Sequence, residues 1–153
     1  MNVFTTDKIR NVVLLGHGGS GKTSLVEAIA YLAGMTNRMG TVDSGNTLSD
    51  YDKEEIKRKI SIKTTVVPVQ WEGYKVNLID TPGYFDFVGE VEEAASVADA
   101  AIIVISAKTG IEVGTKRAWE LCEKRKLPRM FFVTDMDEDQ ASYREVVEGL
   151  QAL

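Results

Sequence analysis

A short apolar run, a glycine-rich turn and a helix follow one another directly near the start of this chain, and they constrain its fold more than any other feature. Residues 12–15 are Val-Val-Leu-Leu, which is typical of a buried parallel strand. Residues 16–23 are GHGGSGKT and satisfy the pattern GxxxxGK[ST]. Leu25, Ile29 and Leu32 then share one face of a helix. This order of elements predicts a phosphate-binding loop.

The residue types in the loop fit the chemistry of a bound polyphosphate. Successive backbone N–H groups must reach phosphate oxygens, so the side chains along the turn have to be small. The helix N-terminus adds unpaired N–H donors and a partial positive charge. We expect Lys22 to reach the β- and γ-phosphates and the Thr23 hydroxyl to ligate Mg²⁺. The expected nucleotide-binding residues are Gly16, His17, Gly18, Gly19, Ser20, Gly21, Lys22, Thr23 and Ser24. The alternative is a glycine-rich turn that only caps a helix.

The composition favours one soluble, cytoplasmic globular domain. Of the 153 residues, 44% are hydrophobic and 27% are charged, which allows a real core. The net charge of −5 argues against direct, sequence-specific nucleic-acid binding, because phosphate contacts need clustered Lys and Arg. The single cysteine, Cys122, fits a reducing compartment and falls at a core position of a helix. No apolar run is long enough to cross a bilayer, so we expect no membrane partner, and a monomer is the default.

Strands alternate with helices along the rest of the chain. The β-prone runs are 61–71, 75–79, 101–105 and 130–133, and the helical patterns are 88–98, 113–126 and 143–150. Gly73 suits a tight hairpin between the first two runs. We therefore predict an α/β fold of the P-loop NTPase class, with three layers, a mostly parallel sheet, one antiparallel edge hairpin and helices on both faces. The long segment 34–59 lacks a core face, which is typical of functional or mobile connections.

A second motif, Asp80-Thr81-Pro82-Gly83, follows a predicted buried strand. Ligands of α/β sheets lie at the carboxyl ends of strands, and Asp80 there can hold Mg²⁺ directly or through water. The alternative is that Asp80 caps the following turn. Gly83 offers an N–H to a γ-phosphate, and loss of that bond on hydrolysis would release the next segment.

The two motifs together resemble those of the translational GTPases. Residues 80–87, DTPGYFDF, resemble the DTPGHVDF signature of elongation factor G. Residues 70–72 (QWE), 75–77 (KVN) and 105–108 (ISAK) resemble the tetracycline-resistance ribosomal protection proteins. The chain is similar to the N-terminal part of the GTP-binding domain of these factors almost from end to end.

This resemblance implies GTP and GDP as substrate and product, Mg²⁺ as cofactor and the ribosome as partner. It implies that residues 34–59 form the first switch segment and residues 83–97 the second. It further implies one domain over residues 1–153 that is cut off before its last strand and helix. Full activity is then expected to need the ribosome, since such enzymes depend on charge supplied in trans.

Several positions depart from the family pattern near the phosphates. Gly19 stands where the family has an aspartate, so a monovalent-cation site supported by that carboxylate is in doubt. Ser61 replaces the threonine of RGIT, in the run Arg58-Lys59-Ile60-Ser61, and keeps a hydroxyl that could ligate Mg²⁺. Tyr84 stands in place of the histidine that orients the attacking water. The expected catalytic residues are thus Tyr84, Gly83 and Lys22. A phenol stays neutral near pH 7, so slow hydrolysis, or a binding switch with little hydrolysis, is the alternative.

The guanine-reading motif NKxD is replaced by residues 134–137, Thr-Asp-Met-Asp. Asp137 keeps the carboxylate that can accept from the N1–H and 2-amino group of guanine. Thr134 and Asp135 take the places of the asparagine and the lysine and lose their contacts, which costs about 1–3 kcal/mol for a buried polar contact. Two alternatives stay open. The acidic run 135–139 caps the last helix, or the protein is a P-loop ATPase.

Two remaining features receive structural interpretations. Residues 106–108, Ser-Ala-Lys, resemble the element that closes a guanine pocket, but they precede the base-reading motif instead of following it, so we expect a structural role. His17 lies inside the phosphate loop and is expected to shape its backbone. Trp71 and Trp119 are interpreted as core or interface residues.

Overall fold

The computed structural model describes residues 3–153, which form one five-stranded sheet flanked by helices. The strands are β1 (Ile9–Leu15), β2 (Thr65–Trp71), β3 (Tyr74–Asp80), β4 (Ala100–Ser106) and β5 (Arg129–Thr134). The helices are α1 (Lys22–Leu32), α2 (Lys53–Arg58), α3 (Val88–Ser96), α4 (Val113–Arg125) and α5 (Tyr143–Gln151). Single 3₁₀ turns, at Thr6–Lys8 and Phe85–Phe87, precede β1 and α3.

The strand order is β2-β3-β1-β4-β5, and only the β2–β3 pair is antiparallel. Positive φ angles at Glu72 and Gly73, +45° and +80°, make the two-residue hairpin turn that joins β2 to β3. The predicted fold class is therefore confirmed. The parallel register sets Leu14 beside Asp80, so the loops after β1 and β3 leave the sheet at the same edge.

Two apolar cores lie on opposite faces of the sheet because successive strand residues point to opposite sides. Val13 and Leu15 face α3, α4 and α5, in a cluster that includes the fully buried Cys122. Leu14 faces α1, where it packs with Val26. The three-layer architecture and the core position of the cysteine are as predicted.

The two tryptophans occupy different environments. Trp119 stacks on Phe131 with a centroid separation of 5.8 Å, next to the core beneath α4. Trp71 lies on the edge strand β2 and is 58% exposed. Within residues 3–153, no helix combines the length and the apolar character that a membrane span requires.

Candidate functional site

The loop between β1 and α1 has the close-approach geometry that its glycines predict. Gly16 has φ of +143°, and a Cβ there would lie 2.4 Å from the carbonyl oxygen of Val104. Gly21 caps the start of α1 with φ of +88°. Gly19 has φ of +82° with open space beside it, so a side chain there would be opposed by backbone strain and not by a clash. The unpaired backbone N–H groups at the amino end of α1 therefore face the turn.

Lys22 is folded back into this loop. Its Nζ donates to the carbonyl oxygens of His17 at 2.7 Å and Gly16 at 3.2 Å. Burial lowers the pKa of the ammonium to about 8, while the nearby carboxylates, first among them Asp80, act to raise it. The carbonyl groups of the loop therefore hold the desolvated ammonium of Lys22 at the place where a phosphate would bind.

Asp80 accepts hydrogen bonds from two hydroxyl groups, and a third hydroxyl lies next to one of them. Its Oδ2 accepts from Thr23 Oγ1 at 2.8 Å and from Ser49 Oγ at 2.7 Å, and Ser61 Oγ lies 3.2 Å from Thr23 Oγ1. Burial raises the pKa of Asp80, against these hydrogen bonds and the charge of Lys22. Asp80 Oδ1 is buried and finds no partner among the described residues. The sequence predicted Asp80, Thr23 and Ser61 here but did not predict Ser49.

Asp50 adds a second buried carboxylate beside this group. Burial, the largest cause, raises its pKa to about 6, while the neighbouring Ser61 hydroxyl acts to lower it. Its Oδ2 is buried and finds no partner in the described part of the chain. The sequence contains no signal for Asp50, because a Ser-Asp pair within a long polar segment is typical of a solvated loop.

The second switch segment closes over the phosphate loop. A Cβ on Gly83 would lie 2.6 Å from both the Gly18 nitrogen and Lys22 Nζ. The Tyr84 ring covers Gly18, since a Cβ there would lie 2.8 Å from a ring carbon, and the ring is still 45% exposed. Thr81 Oγ1 anchors the motif by donating to the carbonyl of Leu14 at 2.6 Å. Pro82 is buried and turned away, toward a cavity between α3 and α4.

The phosphate loop and both switch segments enclose a cavity of about 250 Å³, which we call the nucleotide pocket. Its lining residues are Gly18, Gly19, Gly21, Lys22, Thr23, Ser24, Val42, Asp50, Lys59, Ile60, Ser61, Gly83 and Tyr84. Most of the predicted phosphate and metal residues thus face one space. Residues of the base-reading motif are not among them.

Two buried glutamates hold the first switch segment in place. Glu27 of α1 is 1% exposed and accepts from the backbone N–H of Gly40 at 2.9 Å and from that of Leu48. Glu55 of α2 accepts from the N–H of Ile62 at 3.0 Å and of Lys63 at 3.1 Å. Sequence reasoning missed both, because glutamate on a helix is usually solvated.

One further contact joins the second switch segment to the stretch between the first switch segment and β2. The Thr64 N–H donates to Glu90 Oε2 at 2.7 Å, and Thr64 Oγ1 donates to the Glu90 carbonyl at 3.2 Å. Thr64 precedes β2, and Glu90 lies in the first turn of α3. A movement of α3 would therefore act directly on Thr64, in the stretch that follows the first switch segment.

The residues of the base-reading motif, 134–137, lie in different environments. Thr134 Oγ1 lies within donating distance of the Ser20 carbonyl, at 2.8 Å, so this residue supports the phosphate loop. Asp135 has a left-handed φ of +55°, and Asp137 is exposed. The interpretation of the acidic run as a helix cap is wrong, because Ser142 is the N-cap of α5 and its Oγ accepts from the Glu145 N–H.

The two structural interpretations fit the contacts. Ala107 N–H donates to the Thr134 carbonyl at 2.9 Å, and its own carbonyl accepts from Ser142, so residues 106–108 tie β4 to the start of α5. His17 gives its carbonyl to Lys22, and its Nε2 lies 3.5 Å from Glu112 Oε1. Its ring contacts Phe85 edge-on at 5.9 Å.

A family model, the elongation factor Tu GTP binding domain, matches residues 7–153. Ribosome-releasing factor 2, mitochondrial, from Rattus norvegicus is 42% identical over 144 residues, which are 94% of this chain and 18% of that protein. An elongation factor G-like protein from Mycobacterium tuberculosis is 42% identical over 143 residues, 94% of this chain and 20% of that protein. The chain thus spans about one fifth of the length of these relatives.

Solved structures give the same architecture. A crystal structure of a protein from Thermus thermophilus superposes with a TM-score of 0.91 at 44% identity, covering 95% of this chain and 22% of that one. Translation elongation factor SelB from Methanococcus maripaludis, in complex with a GTP analogue, gives a TM-score of 0.70 at 22% identity, covering 99% of this chain and 26% of that one. At that identity the second likeness concerns the fold alone.

Proposed function

This chain belongs to the family of GTP-binding domains of elongation factor Tu, and from that premise we propose that it is the GTP-hydrolysing switch of an elongation factor G-like factor that acts on the ribosome. The family resemblance predicted from the two motifs is confirmed. What the individual residues do follows from their contacts.

The observation that carries the proposal is the convergence of the predicted phosphate and metal residues on the nucleotide pocket. These residues line one cavity although they come from three separate stretches of the sequence: Lys22 with Thr23, Ser61, and Gly83. Asp80 meets that cavity through its hydrogen bond from Thr23. A helix cap alone requires none of these long-range contacts, so they support nucleotide binding over the glycine-turn alternative.

The residues fit a bound Mg²⁺. Asp80 Oδ1 is a buried carboxylate oxygen with no partner in the described residues, and Thr23 and Ser61 place hydroxyls beside it. Within those residues there is no cluster of three or more His, Cys, Asp or Glu that could hold a metal ion. Such a sparse set suits Mg²⁺, which takes one or two carboxylates and completes its shell with water and substrate phosphates. When bound, the ion would neutralise phosphate charge during transfer.

The chain's own residues then divide the work. Lys22 and the loop N–H groups bind the β- and γ-phosphates, and the Gly83 N–H senses the terminal phosphate at a point so close to the loop that a Cβ on Gly83 would clash with Gly18. Tyr84 covers Gly18 and can hydrogen-bond a water on the second-switch side. The phenol hydroxyl differs in reach from the histidine of the family pattern, so we expect basal hydrolysis to be slow and to depend on the ribosome.

Guanine selection rests on Asp137. The carboxylate is exposed beyond the end of β5, where it can accept from the N1–H and 2-amino group of a base. Thr134 is engaged with Ser20, and Asp135 carries no cationic stem to lie along the base. We therefore expect a guanine preference weaker than a complete motif would give. We also propose that the domain continues beyond residue 153, with a further strand and helix.

Titration of GDP, GTP and ADP with and without Mg²⁺ tests the proposal. We expect guanine nucleotides to bind more tightly than ADP and Asp137→Asn to reduce that preference by about tenfold, as for one charged hydrogen bond. Equal or tighter ADP binding would instead indicate a P-loop ATPase. Single-turnover GTP hydrolysis with added ribosomes then separates a GTPase, which is accelerated, from a binding switch that scarcely hydrolyses.

A further inference from the structure

Lys59 ends the first switch segment and faces the nucleotide pocket, yet the functions assigned above leave it without a role. It lines the pocket together with Lys22. Its Nζ lies 2.6 Å from Asp43 Oδ1, in an ion pair within the same segment. The part of the pocket wall formed by this segment therefore includes a lysine of its own, besides the carboxylate of Asp50.

The backbone of Lys59 is left-handed, with φ of +55°, because it is the C-cap residue of α2. Glycine or asparagine adopts this conformation at lower cost than lysine. Lys126 ends α4 in the same way, with φ of +55°, and does not line the pocket. The conformation alone is therefore no mark of function, and what distinguishes Lys59 is its place in the pocket wall.

The ion pair of Lys59 is suited to exchange. The side chains of Lys59 and Asp43 are 55% and 86% exposed, and exposed pairs of this kind contribute little. A triphosphate offers more negative charge than one carboxylate and stronger, charge-assisted hydrogen bonds. The four-carbon stem of lysine lets the ammonium move between partners without a change in the backbone.

We propose that Lys59 leaves Asp43 and binds the terminal phosphate of a nucleoside triphosphate, so that it favours the triphosphate over the diphosphate. The terminal phosphate is the expected partner because Lys59 shares its cavity with Gly83 and Tyr84, whereas Thr134 and Asp137 are not part of that cavity. This inference rests on the proposed function, and it adds a second cation to the phosphate end of the site.

The test measures the dissociation constants of GDP and a non-hydrolysable GTP analogue for four variants of the full-length protein. Lys59→Asn keeps a residue that tolerates the left-handed backbone and removes the charge. We expect it to weaken the GTP analogue about tenfold and GDP less than about twofold. Lys59→Arg keeps the charge and should stay close to wild type. Asp43→Asn frees the ammonium and should tighten the analogue by about twofold or more.

The opposite signs make the test decisive. If the pair only ties the loop together, Lys59→Asn and Asp43→Asn break the same contact and shift the affinity in the same direction, which overturns the inference. Equal losses for GDP and the analogue overturn it too. Lys126→Asn is the matched control for removing a left-handed lysine and should leave both affinities unchanged. Wild-type protein that binds no guanine nucleotide overturns the proposed function itself, whereas binding that ignores all Lys59 variants overturns only this inference.

Discussion

The phosphate loop and the first switch segment face each other across the nucleotide pocket, but they are held in different ways. The loop is fixed mainly by local features, which are positive φ angles at Gly16 and Gly21 and a lysine that bonds carbonyls five and six residues away. The first switch segment depends on distant partners, chiefly the buried carboxylate of Glu27. The phosphate loop is thus preorganised, whereas the first switch segment is held by a few hydrogen bonds that a bound ligand can replace. Such segments are the ones that switch.

Replacing Lys22 disrupts the phosphate loop and has the largest expected effect. Lys22→Met removes the desolvated cation and the hydrogen bonds to phosphate that we propose for it, and charged hydrogen bonds are each worth about 1.5–3 kcal/mol. We expect nucleotide affinity to fall by about 100-fold or more, for GTP and GDP alike. Isothermal titration calorimetry measures both. A loss below tenfold would mean that the loop amides alone hold the phosphates.

The same residue gives a pH dependence in the nucleotide-free protein. Lys22 has a pKa of about 8 when folded, against an ordinary value of 10.5, so the unfolded chain binds more protons between these values. The free energy of unfolding should therefore rise as the pH increases from about 8 to 10.5, by up to about 3 kcal/mol in total. Urea denaturation across this range checks it. Lys22→Met should lack this increase, and an equal slope in the variant would contradict the assignment.

Replacing Glu27 loosens the first switch segment. Glu27→Gln keeps the shape but turns an amide N–H toward a backbone N–H of Gly40 or Leu48, leaving one buried donor unsatisfied at a cost of about 1–3 kcal/mol. Amide exchange at these two residues should accelerate, while exchange within β1 stays unchanged. Glu54→Gln is the matched control, since Glu54 is exposed and pairs with Arg58 within α2.

This contrast also separates what the sequence could predict from what it could not. The phosphate loop and Asp80 were predictable because local motifs define them, and the sheet followed from alternating strands and helices. Ser49, Asp50 and Glu27 were not, because their roles arise from burial against residues far away in the chain. The acidic run after β5 was open to a capping interpretation for the same reason. In the structure, Ser142 is the N-cap of α5.

A smaller effect is expected where the second switch segment contacts Thr64. Glu90→Ala removes the acceptor of the Thr64 N–H and should cost about 1 kcal/mol. The Thr64 amide should then exchange faster, and its protection should no longer respond to whether GDP or a GTP analogue is bound. Glu93→Ala, at an exposed position of the same helix, is the control. An unchanged response in Glu90→Ala would show that Thr64 responds to the nucleotide independently of its contact with α3.

The smallest expected effect concerns Thr134, which occupies a base-reading position but contacts the phosphate loop. Thr134→Val is nearly isosteric and removes the hydroxyl that lies 2.8 Å from the Ser20 carbonyl, which should cost about 0.5–1.5 kcal/mol of stability. Since the lost contact is to the loop, affinities for GTP, GDP and ADP should fall by the same small factor. Thr134→Ser keeps the hydroxyl and should resemble wild type. A selective loss of guanine over adenine binding in Thr134→Val would instead indicate that Thr134 contacts the base. Its hydroxyl would then no longer count as a support of the phosphate loop.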